Sequence, residues 1–132
     1  MEFDKNFFNK VFFSSKQLDR ILISANKDLK IAGKSKEVEV TFKFSYDAFL
    51  KFCIYIVAQR GYKIRSFSGH HQKIIEQTAE ILNNKSIYNI GNEIRKKRNF
   101  DLYECLFTVS DKDTKEYFEF IKNLFVKYIK KT

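Results

Sequence analysis

The sequence predicts an all-α fold, an antiparallel bundle of four to five helices, and three observations carry that expectation. The 132 residues include only 4 Gly and no Pro, so the chain lacks the turn residues that a sandwich or barrel places between its strands. Apolar residues recur at helical spacing over most of the length, as in helices with one buried face. Helix-start patterns stand at Ser14 with Gln17 and at Ser110 with Asp113. A chain of this size buries roughly two-thirds of its unfolded surface. One domain over residues 1–132 can therefore hold a core without metal or disulfide, with residues 1–13 able to form an N-terminal arm.

The spacing of Leu18, Ile21, Leu22, Ala25, Leu29 and Ala32 predicts a first helix over about residues 15–32. Ahead of it, Phe7, Phe8, Val11 and Phe12 suit a short helical turn. Val38, Val40, Phe42 and Phe44 then alternate with polar residues, which is the period of a strand. No second alternating run exists to pair with it, so this stretch, or its second half, joins the helix YDAFLKFCIYIVAQ that follows. That helix is apolar nearly all round and is expected to be the central, buried one. Gly33, Gly61 and Gly69 punctuate the chain, and Gly61 is placed to end the central helix. GYKIRSFSGHH reads as a connection whose Ser68 caps a helix over about residues 70–83. Asn83 and Asn84 mark a break before a helix over about residues 86–108. A last helix follows Ser110, with Tyr117, Phe118, Ile121, Leu124, Phe125 and Tyr128 on one face.

The net charge is +9, from 25 Lys and Arg against 16 Asp and Glu. Such a balance favours a polyanionic partner, nucleic acid above all, although surplus lysine equally serves solubility. Cys53 and Cys105 both lie in apolar stretches and read as reduced core residues of a cytoplasmic protein. The start, MEFDKNFFNKVFF, lacks the form of a signal peptide. The most apolar run, Phe44 to Ala58, is too short to span a bilayer, so no membrane partner is expected. No phosphate-cradling Gly loop, carboxylate set or nucleophile elbow is present, and neither a metal nor a cofactor is expected.

The most informative helix is the fourth. Ile87, Ile90, Ile94, Arg98 and Cys105 fall within about 40° of one line, with Asp101 beside them. Arg98 thus interrupts an apolar seam, which is costly unless it is paired or placed at a wet interface. It can pair with Asp101 at i, i+3, or its planar fork can hold a phosphate. Arg95, Asn99 and Tyr103 border it, whereas Lys96 and Lys97 point elsewhere as solvated charge. A second basic concentration carries Lys51, Arg60, Lys63, Arg65 and Lys73 without an acid between Asp47 and Glu76. Tyr62 and Phe67 are interleaved with these cations, as in surfaces that bind single-stranded nucleic acid, and any exposed basic loop has the same appearance. His70 and His71 are adjacent and diverge by about 100° on a helix. One is therefore expected to cap the helix start and the other to face solvent, and they are not expected to share a metal.

From Ser45 to Thr132 the chain resembles the HEPN domains of bacteria, which are small and all-α. The resemblance is carried by a central helix like YDAFLKF, a connection like RGYKIRSFSGHH leading into KIIEQ, then EIRKKRNFDLYE, and a final helix after VSDKD. It implies a HEPN-like bundle and one of two functions. One is a metal-independent ribonuclease or RNA-binding protein of a toxin–antitoxin or defence system. The other is a non-catalytic HEPN module that binds a nucleotide or a protein partner such as a nucleotidyltransferase. The family's ribonuclease motif is an arginine, a polar residue and then a histidine. Carried over, Arg98 matches the arginine, Asn99 the polar residue, and Tyr103 stands where the histidine would at the shortest spacing. No histidine follows His71. Tyrosine, with a reference pKa of about 10, is a poor base at neutral pH, so a Tyr103 site implies slow cleavage or none. Arg95, Lys63, Arg65, His70 and His71 are the expected nucleic-acid contacts. Residues five apart on a helix diverge by about 140°, so the motif implies a homodimer that assembles a composite site from two copies. The face around Ile90, Ile94 and Arg98 is the one expected to be shared.

Overall fold

A computed structural model describes residues 3–66 and 68–129. Its order is β1 (Phe8–Lys10), α1 (Ser15–Lys34), α2 (Val38–Gln59), β2 (Tyr62–Ile64), α3 (His70–Ile81), α4 (Lys85–Glu104) and α5 (Asp111–Tyr128). The expected all-α bundle is present, with five helices and one two-stranded ribbon.

Helix α2 sits at the centre because it is apolar nearly all round, its charges confined to the single line Glu39, Lys43, Asp47 and Lys51. Tyr46, Ala48, Phe49, Phe52 and Cys53 are all fully buried along it. The alternating stretch from Val38 belongs entirely to this helix, where Phe42 faces the core and Lys43 faces out. Helices α1, α3, α4 and α5 and strand β2 all pack on α2. The short link from α1 makes that pair antiparallel neighbours, tied by a Lys51–Asp28 ion pair of 2.6 Å in which Asp28 is buried.

Both expected capping patterns form. Ser14 Oγ accepts from Gln17 N at 3.2 Å while Gln17 Oε1 accepts from Ser14 N at 2.8 Å. Ser110 Oγ accepts from Asp113 N at 3.0 Å. Asn83 and Asn84 break the chain as expected, the first with φ 49° and the second capping α4 through Ser86 N. Gly61, with φ +83°, follows the end of α2.

Several boundaries differ from expectation. No helical turn carries Val11 and Phe12; one turn at 5–7 leads into β1, which pairs antiparallel with β2 through Phe8↔Ile64 and Lys10↔Tyr62. The supposed connection after Gly61 therefore contains a strand. Three-residue strands are too short to show a period of two. Phe8 is buried in the core and Phe3 stacks on Tyr62 at 3.9 Å, which docks the N-terminal arm onto the bundle. Gly33 does not end α1; it lies inside the helix, where an added Cβ would come within 3.0 Å of the Phe118 ring. The N-cap of α3 is Gly69 with φ 84° and not Ser68, and α3 ends at Ile81. Helix α4 starts at Lys85 and stops at Glu104, short of residue 108. Cys105 takes a left-handed conformation, and the Asp101 carbonyl accepts from the amides of Cys105 and Leu106. Apolar periodicity continues through Leu106 and Phe107 with no Gly or Pro to mark that stop. Cys105 is exposed, unlike the core cysteine expected there, whereas Cys53 is buried and its thiol is pushed up to about 12 by burial.

Gly91 sets how closely α4 approaches the core. A Cβ there would lie 2.6 Å from the Phe49 ring and 3.0 Å from Ile75 Cγ2, and both neighbours are fully buried. Overpacking of this kind costs roughly 1–3 kcal/mol, against about 1 kcal/mol that alanine gains over glycine inside a helix. Gly91→Ala is therefore expected to lower the urea midpoint. Adding Phe49→Leu should recover part of that loss, and a raised midpoint in the single variant would contradict this packing.

Candidate nucleic-acid interface

Helix α4 divides into a buried first half and an exposed second half. Ile87 and Ile94 are 0 % exposed, and Ile90 packs at the edge of the core. Of the face expected to be shared, Ile94 is thus covered within the chain, while Ile90 and Arg98 stay partly exposed. One turn beyond Ile94, Arg98 reaches the rim. Its guanidinium carbon stands 5.5 Å from the centre of the Tyr46 ring, a cation–π contact with the central helix. The alternative pairing with Asp101 does not form. Asp101 Oδ1 instead accepts from the amide and hydroxyl of Thr108, at 3.2 and 2.5 Å.

Arg95 lies one turn before Arg98 and is held by neutral groups. Its Nε donates to Asn92 Oδ1 at 3.1 Å, and its Nη2 donates to Gln72 Oε1 at 3.5 Å. Among the described residues neither arginine makes an ion pair with a carboxylate. Two guanidinium charges are therefore positioned but not neutralised.

Beside them is His71, on the first turn of α3. Its Nδ1 is 3.3 Å from the hydroxyl of Tyr46. The two histidine rings, expected to diverge, meet edge to face at 4.4 Å, and both residues lie half-buried inside α3, so that neither caps it and neither is fully in solvent. Burial holds the His71 imidazole below its ordinary value, and His70, Arg98 and Arg95 lower it further. The Tyr46 hydroxyl is shifted strongly upward, chiefly by burial, so it stays protonated. Tyr46, Asn92 and Gln72 were not expected here. Asn92 was legible as the i−3 neighbour of Arg95, while the Tyr46 hydroxyl was hidden in an apolar helix.

The carried-over motif is not one cluster. Tyr103 is 86 % exposed, and Asn99 is half-buried. Phe100, Leu102 and Leu106 are exposed near Tyr103. On the opposite shoulder of Arg98 lies a groove of about 430 Å³ that includes Phe42, Lys43, Leu102 and Leu106. Lys97, expected to be solvated, joins α4 to α5 through Asp113 at 3.2 Å and rests over the Tyr117 ring.

The basic segment is only partly free. Lys51 is neutralised by Asp28, and Lys73 lies 3.6 Å from Glu76. Lys63 is exposed on β2, and the Arg65 guanidinium donates to the Lys5 carbonyl at 3.2 Å. Lys73 Nζ stands 4.4 Å from the Phe7 ring, so the ribbon flanks the first turns of α3. Phe67, the second interleaved aromatic, lies outside the described residues. No group of three or more His, Cys, Asp or Glu among the described residues could hold a metal ion, and no described helix is long and apolar enough to cross a membrane.

Because the native state holds His71 below its ordinary value, the unfolded chain binds that proton more readily. This contribution to stability is complete above the unfolded value near 6.5 and is lost as pH falls through the window down to the native value. Urea midpoints at about pH 7.5 and about pH 5 should show a smaller acid-side loss in His71→Gln than in the wild type. Equal losses would contradict the burial of this imidazole. Among known proteins, no family model matches this sequence, and no curated protein or solved structure matches it either.

Proposed function

We propose that the chain is a HEPN-like RNA-binding protein, with the ribonuclease activity of a toxin or defence component. The observation that carries this reading is the pair Arg95 and Arg98, oriented by Asn92, Gln72 and the Tyr46 ring and making no ion pair with a carboxylate among the described residues. Buried or half-buried arginines normally find an acid. A guanidinium fixed by neutral groups keeps its full charge for an incoming phosphate, which its fork binds in two-point fashion. Lys63 and Arg65, on the ribbon that flanks α3, extend the positive surface along a strand of RNA. Tyr103 then acts as a stacking platform, a role that suits an aromatic ring held almost wholly in solvent.

Binding to a fluorescent single-stranded RNA, followed over a salt series, tests this reading. The wild type should bind at low salt and weaken linearly in log–log terms, with a slope near −0.7 per phosphate neutralised. Arg95→Ala and Arg98→Ala should each weaken binding and flatten the slope by about one contact. Tyr103→Ala should weaken binding by about 1–3 kcal/mol with the slope unchanged, because stacking releases no counterions. Absence of binding at low salt, or full binding by both arginine variants, would overturn the proposal.

A further inference from the structure

The ribonuclease reading leaves a chemical gap, because Tyr103 is a poor base and stands in solvent away from the arginines' partners. We infer that His71 of α3 fills that gap. It is the proton acceptor for cleavage of a phosphodiester held by Arg98 and Arg95, and it comes from the same chain as those arginines. The inference rests on the ribonuclease reading and names the group that performs its central step.

Three elements place the groups. Helix α2 supplies Tyr46, whose hydroxyl lies 3.3 Å from His71 Nδ1 and whose ring supports Arg98. Helix α3 supplies His70, His71 and Gln72, and α4 supplies Asn92, Arg95 and Arg98. Asp47, the neighbour of Tyr46 on α2, is the acidic group whose charge interacts with Arg98. For Nε2 to accept a proton, Nδ1 must carry its own and donate to the Tyr46 oxygen. The same bond persists in the imidazolium, so Tyr46 is a positioning residue that holds one ring orientation through the proton transfer. Burial first, and then the charge of His70, Arg98 and Arg95, keep the imidazole neutral at physiological pH, so its ring nitrogen is free to accept a proton.

In the step itself, His71 takes the proton of a ribose 2′-hydroxyl. The freed oxygen forms a bond to the adjacent phosphorus, and the bond from phosphorus to the 5′-oxygen breaks. The leaving oxygen takes a proton from water, and the imidazolium returns its proton to solvent. The products are a 2′,3′-cyclic phosphate and a 5′-hydroxyl, with no other reactant consumed. Arg98 and Arg95 stabilise the charge that develops on the phosphoryl oxygens.

The test uses the full chain and a labelled single-stranded RNA in EDTA, with binding and cleavage measured on the same samples. The wild type is expected to cleave to a cyclic-phosphate end, at a rate that rises with pH through the imidazole range and then levels. His71→Ala and the milder His71→Gln should each lose about 10²–10⁴-fold in rate while RNA affinity is retained. Free imidazole should restore part of the rate to His71→Ala, and Tyr103→Phe should keep the wild-type pH profile. Cleavage unchanged in both His71 variants would overturn the inference and leave the ribonuclease reading standing. RNA binding without cleavage by the wild type would overturn the inference and the nuclease reading together. Failure to bind RNA at all would overturn the functional proposal itself.

Discussion

The arrangement around α4 depends on one constraint, the burial of a tyrosine with a hydroxyl to satisfy. Tyr46 is fully enclosed at the centre of the bundle, and a buried hydroxyl without a partner carries a substantial penalty. Its partner is His71, so the requirement that fixes the core also fixes the first turn of α3. The same ring lies under Arg98. A core residue therefore sets the spacing between an imidazole and a guanidinium at the surface. Removing it would disturb stability and site geometry together.

The electrostatics follow from that placement. Elsewhere on the molecule cations meet acids: Lys51 with Asp28, Lys97 with Asp113, Lys115 with Asp111. Around Arg95 and Arg98 the groups in direct contact are amides and a phenol, with an imidazole beside them, and Asp47 acts on Arg98 only through its charge, without an ion pair. Repulsion from these fixed charges and the loss of water act in the same direction on His71, and both favour the neutral ring. Gly91 contributes at a distance. By letting α4 sink against Phe49 and Ile75, it brings the following turn, with Arg95 and Arg98, to the rim where those partners stand.

Much of the fold was legible because helices write their period into the sequence. Ser14, Ser110, Asn84 and Gly61 act where their chemistry places them, and α2 shows its central position in a run that is apolar nearly all round. The ribbon of Phe8–Lys10 with Tyr62–Ile64 was not legible, since three residues carry no usable alternation and the pairing joins segments far apart in the chain. The end of α4 was not legible either. It depends on Cys105 adopting a left-handed conformation that composition does not announce. In the site, Arg98 was visible as a charge on an apolar seam, and Arg95 as its neighbour. The surroundings of His71 were hidden, because adjacency to His70 suggested divergence, and the hydroxyl beside it comes from a helix 25 residues away. Motif spacing pointed to Tyr103 because such spacing reads one helix only. The cluster is made by three.

The central claim is that Tyr46 and the two arginines hold His71 neutral and in one orientation. Its most direct measurement is a pH titration of the histidine ring signals by heteronuclear NMR in the wild type, Arg98→Ala and Arg95→Ala. The account predicts that His71 titrates below the ordinary imidazole value, as a Nδ1–H tautomer, and that each arginine removal raises it. A His71 signal titrating at or above the ordinary value, unmoved by loss of either arginine, would contradict it.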